Sequence, residues 1–272
     1  MEGNPREALQ RLIDDYGDDV PLDQGAALIA AEEHRADVRD VLRQLDALAD
    51  GARVSGQTSP FHAIARINHH LFEELGFQGD DEEYDRPENS FIDRVIARRR
   101  GLPILLSVIY VEVARRVGVA LVGVSFPSHF IIRPVDSDAF FIDPFHQGRV
   151  LKPAHLEMWL SQLYRGAPIT SDLWAKATQD ASNREVLARM NRNLKFSYLR
   201  RKDLHGGIRA SERILMLDPE QAEERRDLGR MLLSAGREED GQAELAHYLA
   251  LRPAAPDAFK IAAELEFLKR ER

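Results

Sequence analysis

Apolar positions along the first 75 residues recur at three- and four-residue intervals, the spacing that places side chains on one stripe of a helix. One run starts at Pro5 and carries Leu9, Leu12 and Ile13. A second carries Ala27, Leu28 and Ala31, and a third repeats Val38, Val41, Leu42, Leu45 and Leu48. The fourth follows Thr58, Ser59 and Pro60, a capping residue and then a proline. It stacks Ile64, Ile67, Leu71, Phe72 and Leu75 before Gly76 stops it. These runs predict helix after helix. The polar stretch GFQGDDEEYDRPENS then reads as a long connection. A short helix with Ile92, Val95 and Ile96 follows and leads into Arg98-Arg99-Arg100-Gly101.

The next helix has a different character. Leu102, Leu105, Leu106, Ile109, Val113 and Val117 mark one side, and Ile104, Val108 and Val111 fill another. Little of its girth can face water, which predicts a central, buried element. After Gly118 the period shortens to two. The segments 120–126, 128–133 and 139–143 are predicted as three antiparallel strands, the last two joined across PVDSD.

From about residue 184 the pattern is helical again, and it repeats. Leu-Asp-Pro closes one unit at Pro219 and Leu-Arg-Pro closes the next at Pro253, an offset of 34 residues. At that offset Leu194 matches Leu228, Leu199 matches Leu233, Leu215 matches Leu249 and Leu217 matches Leu251. A 34-residue helical period ending in proline is the tetratricopeptide signature, in which each helix pair buries its apolar face only by stacking on its neighbour. Two pairs and a terminal helix over 256–269 make a short array, expected to lean on the preceding domain. The boundaries are thus read as 1–183 and 184–272. The fold class is α+β: mostly helical, with a small antiparallel sheet in the first part and helical hairpins in the second.

Composition removes whole classes of function. With 44% hydrophobic and 30% charged residues the chain reads as globular. Its 45 acidic and 37 basic residues give a net charge of −8, so no general attraction to nucleic acid or anionic lipid is expected. The acid-rich N-terminus does not read as a signal peptide, and apolar runs stop short of the ~20 residues that span a bilayer. A cytoplasmic location and no membrane partner are expected. There is no cysteine, which excludes disulfides, thiolate metal sites and thiol catalysis.

The candidate chemistry lies between residues 101 and 145. Gly101-Leu102-Pro103 opens the central helix, with proline where its missing N–H costs nothing. His129 and Asp143 fall on the two following strands, and adjacent strands can set them side by side. An aspartate bonded to a histidine fixes its tautomer and raises its basicity, although such pairs also occur as plain structure. Ser107 lies one turn beyond Pro103, deep in the helix, and reads as packing. Ser128 would point to the opposite strand face from His129, and Tyr110 reads as core. His62 and His69 share a helix face two turns apart, too far for one ion, so they and His70 are expected as surface residues. The arginines at 98 to 100 read as a salt-bridged, solvated face beside the acids at 80 to 85 rather than as an anion site. No cofactor and no metal site are expected, and no phosphate loop is present.

The stretches NSFIDRVIARRRGLPILLSVIYVEVARRVG, FPSHFIIRP and FIDPFHQGRVL resemble the transglutaminase-like core, a cysteine-protease-like fold. With LFEELGFQG, ERILMLDP and YLALRP, the chain resembles SirB-type transglutaminase-like proteins with a tetratricopeptide-like C-terminal region, over nearly its whole length. The resemblance implies a Cys–His–Asp frame in active enzymes, with the cysteine position on Pro103, the histidine on His129 and the aspartate on Asp143. Members of this family generally lack the nucleophile. The expected role is therefore a non-catalytic interaction or regulatory module that binds a protein or peptide through its cleft and helical repeat. The alternative is a hydrolase or acyl transferase in which His129 and Asp143 act as a general base.

Overall fold

The computed structural model describes residues 3–55 and 58–270, with side chains through residue 268. The chain divides into two compact units, 1–187 and 188–272.

The first unit opens with four helices: α1 (Pro5–Tyr16), α2 (Leu22–His34), α3 (Val38–Gly51) and α4 (Pro60–Asn68). Their starts follow local chemistry. Asn4 accepts a hydrogen bond from the Arg6 N–H, Asp37 from Arg39, and Ser59 from His62, each satisfying a donor that the first helical turn leaves open. α2 carries little amphipathic contrast because almost everything from Leu22 to Ala31 is buried. The fourth run is α-helical only to Asn68. It continues as a π-helical segment, His69–Glu74.

The polar connection is ordered. It holds β1 (Gln78–Gly79), α5 (Ile92–Arg98) and β2 (Arg100–Gly101), with β1 parallel to β2. Buried Asp80 accepts bonds from the Glu83 N–H (3.1 Å) and from Arg98 Nη2 (2.9 Å), while Arg98 Nη1 reaches Asn89 (2.8 Å). The arginine run is therefore only partly a solvated face: Arg98 clamps the inside of this loop, Arg99 donates to the Leu75 carbonyl, and Arg100 pairs with Glu82.

α6 (Pro103–Arg116) is the central helix, buried from Pro103 through Tyr110 and again at Glu112, Val113 and Ala114. Glu112 lies inside because Arg115 and Arg116 reach it at 2.8 and 2.6 Å, and both also reach Asp23 of α2. After α6 come β3 (Leu121–Val124), β4 (Ile131–Pro134), β5 (Phe141–Asp143), β6 (Arg149–Leu151), α7 (Pro153–Leu163), α8 (Ser171–Ala177) and β7 (Asp180–Ala181). The antiparallel sheet has the order β6-β5-β4-β3-β7. Two of its five strands, β6 and β7, escape the period-two reading because they are three and two residues long. The three predicted strands are also shorter than expected. On one sheet face Val124, Ile131, Phe141 and Leu151 pack with Leu156 and Leu160 of α7 and Ala177 of α8. Ile132 and Ile142 are paired on the other face and fully buried, and α6 packs against β3 and β4.

Helix α9 (Asn183–Arg200) begins in the first unit and continues into the second, which is completed by α10 (Leu204–Leu217), α11 (Ala222–Ser234), α12 (Glu238–Leu251) and α13 (Ala258–Arg270). The helices α10 and α12 stop at the leucines that precede Asp218-Pro219 and Arg252-Pro253. Ile208 and Leu215 pack with Leu228, Met231 and Leu232, and Ala222, Leu245 and Tyr248 pack with Ile261 and Leu265, so the cores lie between successive helices. α11 and α12 meet at Gly229 and Gly241. A Cβ on Gly241 would lie 2.8 Å from the Gly229 carbonyl, leaving no room for a side chain.

Candidate functional site at the sheet end

The polar chemistry of the first unit collects where β4 begins and β5 ends. β3 is followed by a turn through Phe126, Pro127, Ser128 and His129, closed by the His129 N–H on the Phe126 carbonyl at 3.0 Å. Pro127 takes the second position, and Ser128 has φ 62°, the pattern of a type II turn. His129 is therefore delivered by a turn just ahead of β4. The expectation that Ser128 and His129 alternate along a strand is corrected: the proline forces a reversal where period-two reading saw continuity.

Asp143 ends β5 and is fully buried. Its Oδ1 accepts from the Phe145 and His146 N–H groups at 3.1 and 3.3 Å, capping the short 3₁₀ turn Pro144–His146. Its Oδ2 meets His129 Nε2 at 2.9 Å and His146 Nδ1 at 2.7 Å. Burial by itself pushes the Asp143 carboxyl up, but hydrogen bonding and charge from His129, and then from His146, hold it below the usual carboxylate range. The structure thus brings together the two residues singled out by sequence and adds a third. His146 escaped the sequence reading. Its signal is the Asp-x-x-His spacing in Asp143-Pro144-Phe145-His146, which a proline-led turn folds onto one side.

Pro103 is buried at the first position of α6 and offers no nucleophile. Phe145 stands beside His129 with ring centroids 6.2 Å apart, and also lies against Gly79, where an added Cβ would come within 2.5 Å of the ring. Gly79 belongs to β1, whose partner β2 leads through Leu102 into α6, so a phenyl ring fills the side of His129 toward that strand pair. The other candidate nucleophiles are core. Ser107 is buried and its hydroxyl has no hydrogen-bond partner among the described residues. Tyr110 is buried, donates to Asn68 at 2.8 Å, and has its phenol pushed up by burial. His62 and His69 are exposed and His70 is half-buried. They bond to Ser59, Glu73 and Glu74 respectively rather than to one another.

A pocket of about 470 Å³ opens on the free side of this pair. Phe126, Trp159 and Leu163 give it apolar walls, His129, His146 and Gln162 give it polar ones, and Pro127-Ser128 form a rim. The Trp159 ring stands edge-on to His129 at 5.7 Å and to Phe126 at 6.1 Å, held there by α7 packing on the sheet.

A central buried helix, an antiparallel sheet, and a histidine and aspartate that meet where β4 begins and β5 ends are the features of a transglutaminase-like core, in a chain that has no cysteine. The chain belongs to the transglutaminase-like superfamily, whose profile matches residues 39–192, and a tetratricopeptide-repeat profile matches residues 194–266. It is similar to a UPF0162 protein of Xylella fastidiosa, 37% identical over 210 residues covering 77% of this chain and 75% of the relative. The SirB1 protein of Salmonella typhimurium is 26% identical over 264 residues, 94% of this chain and 96% of its own. The mouse F-box only protein 21 shares 35% identity over 105 residues, which is 17% of that longer chain. Among the described residues no helix is long and apolar enough to cross a membrane.

Proposed function

We propose that this protein is a non-catalytic transglutaminase-like module that acts in the cytoplasm by binding a protein or peptide partner. The observation that carries this reading is an open pocket beside His129 in a chain without cysteine, with Pro103 at the position where the resemblance puts the nucleophile. Attack on an acyl group needs a side chain that can be deprotonated near the base, and proline has none. Binding needs only a concave apolar surface with a few fixed polar groups, which Trp159, Phe126, Leu163, His129 and Gln162 supply. The tetratricopeptide region supports the same reading, because stacked helical hairpins offer extended surfaces to other chains.

The intact His129–Asp143 pair favours a second reading, a hydrolase or acyl transferase in which this pair acts as a general base on water or substrate. One experiment separates the two. The full chain is assayed for amine incorporation into glutamine peptides and for peptide hydrolysis, and it is used in parallel to capture partners from the native cytoplasm. No turnover is expected, with partner capture lost in Leu163→Asp, at an exposed residue of the pocket wall, while the melting temperature holds. Turnover that scales with protein and disappears in His129→Ala would overturn the non-catalytic reading.

A further inference from the structure

We propose that His129, Asp143 and His146 form a binding site for one divalent transition metal of the zinc class, with an open coordination position toward the pocket. The ligand atoms, two imidazole nitrogens and a carboxylate oxygen, all lie within 4.8 Å of one another. Both nitrogens already converge on the same oxygen, Asp143 Oδ2, at 2.9 and 2.7 Å. With metal–ligand bonds of about 2.0–2.2 Å, neighbouring ligand atoms in a tetrahedral site stand about 3.3 Å apart. The two nitrogen–oxygen separations therefore open by less than an ångström, and the two nitrogens, at most 4.8 Å apart, close by up to about 1.5 Å. The ring that has to move is available, since the His146 side chain is 57% exposed.

The surroundings suit a metal better than they suit an isolated hydrogen-bonded trio. Asp143 Oδ1 is held by two backbone N–H groups, the kind of support that fixes a ligating carboxylate in orientation. The Asp143 side chain is only 1% exposed, so its charge has to be balanced from within the site. At present two imidazole N–H groups point at one oxygen. A dication takes the place of those two protons and uses the lone pair of each ligating nitrogen, each neutral imidazole then carrying its proton on its other ring nitrogen. A set of two imidazoles and one carboxylate without sulfur matches zinc, cobalt, nickel or ferrous iron rather than calcium or magnesium. Three protein ligands leave room for a fourth, and the pocket lined by Trp159 and Gln162 lies on that side. His62, His69 and His70 do not converge in this way: His62 bonds Ser59, and although His69 and His70 both reach Glu74, they meet different oxygens of that carboxylate, which is 43% exposed. The metal site does not depend on the partner-binding role, since a metal titration involves no partner.

The test is titration of the chelator-treated full chain with Co²⁺ and then Zn²⁺, followed by calorimetry and by visible absorption of the cobalt form. One saturable site per chain is expected, with absorption of the low-coordinate cobalt type that zinc abolishes by displacement. His146→Ala should weaken binding by at least roughly tenfold. It should lower the metal-free melting temperature only by the loss of one of the two imidazole bonds to Asp143, and zinc should raise the melting temperature of the native chain but not of this variant. His69→Ala should change nothing. No saturable binding at millimolar metal, or binding that survives in His146→Ala, would overturn the assignment.

Discussion

At Asp80 a carboxylate sits inside the protein because three donors surround it, the Glu83 N–H and Asn89 on the loop and Arg98 at the end of α5. Burial pushes its pKa up, but the Glu83 N–H, then Arg98 and Asn89, more than offset this and hold it below the ordinary value. A depressed folded-state pKa means that the stabilisation is present above the unfolded value near 4 and is lost as pH falls through the folded one. Asp80→Asn should therefore cost about 2 kcal/mol at neutral pH, the scale of a charge-assisted bond left poorly matched. That cost should shrink in urea titrations below about pH 4. A cost that is the same at both pH values would show that charge is not what Asp80 contributes. Single residues were unevenly legible in sequence. The meeting of His129 and Asp143 was legible from the adjacent strands they border, although His129 itself sits in the turn ahead of β4, and their contact at 2.9 Å joins two positions 14 residues apart. His146 and Trp159 do not follow, because one depends on a three-residue turn and the other on how α7 lies on the sheet.

Elements were legible in proportion to how strongly burial repeats along them. α6 is apolar round most of its girth and is the buried helix expected. β6 and β7 are too short to show a period, and the π-helical segment at His69–Glu74 keeps an apolar spacing close to that of an α-helix. The turn after β5 depends on a contact that no local pattern contains. Gly148 has φ 70°, and a Cβ there would strike Asn68 and Phe72. Asn68 Oδ1 accepts from Tyr110 of α6 at 2.8 Å, and its Nδ2 donates to the Gly148 carbonyl at 3.0 Å, so one side chain ties the central helix to the loop that carries His146. Gly148→Ala should cost about 1–3 kcal/mol, the price of left-handed backbone with added crowding. Near-ultraviolet circular dichroism should report a rearranged aromatic cluster around Phe145 and Trp159. A variant as stable as the native chain would mean that the loop has another way to close.

For the molecule as a whole, the 34-residue repeat located the helical hairpins, since leucines at that offset fall on equivalent faces and prolines end each unit. What the repeat cannot say is which residues of α9 complete the transglutaminase-like core. The boundary between compact units lies within this helix, after Leu187. Val186 and Leu187 are buried, and both approach glycines of the first unit. A Cβ on Gly25 of α2 would come 2.5 Å from Leu187, and one on Gly123 of β3 would come 3.5 Å from Val186. The absence of a side chain at Gly25 makes the space that Leu187 fills, whereas at Gly123 Phe130 takes the space at 2.6 Å and Val186 lies in ordinary contact. Leu187→Ala in the full chain should therefore cost about 2–5 kcal/mol, the range for emptying a buried leucine site. A chain cut after residue 183 should lose more than a chain cut after residue 200, because it gives up both side chains and leaves β3 and α2 with open grooves. Chemical denaturation followed by Trp159 and Trp174 fluorescence reads the first unit directly, since both tryptophans pack on its sheet. If the chains ending at 183 and 200 unfold at the same denaturant concentration, the first turn of α9 contributes nothing to the core, and the transglutaminase-like unit ends where the strands do.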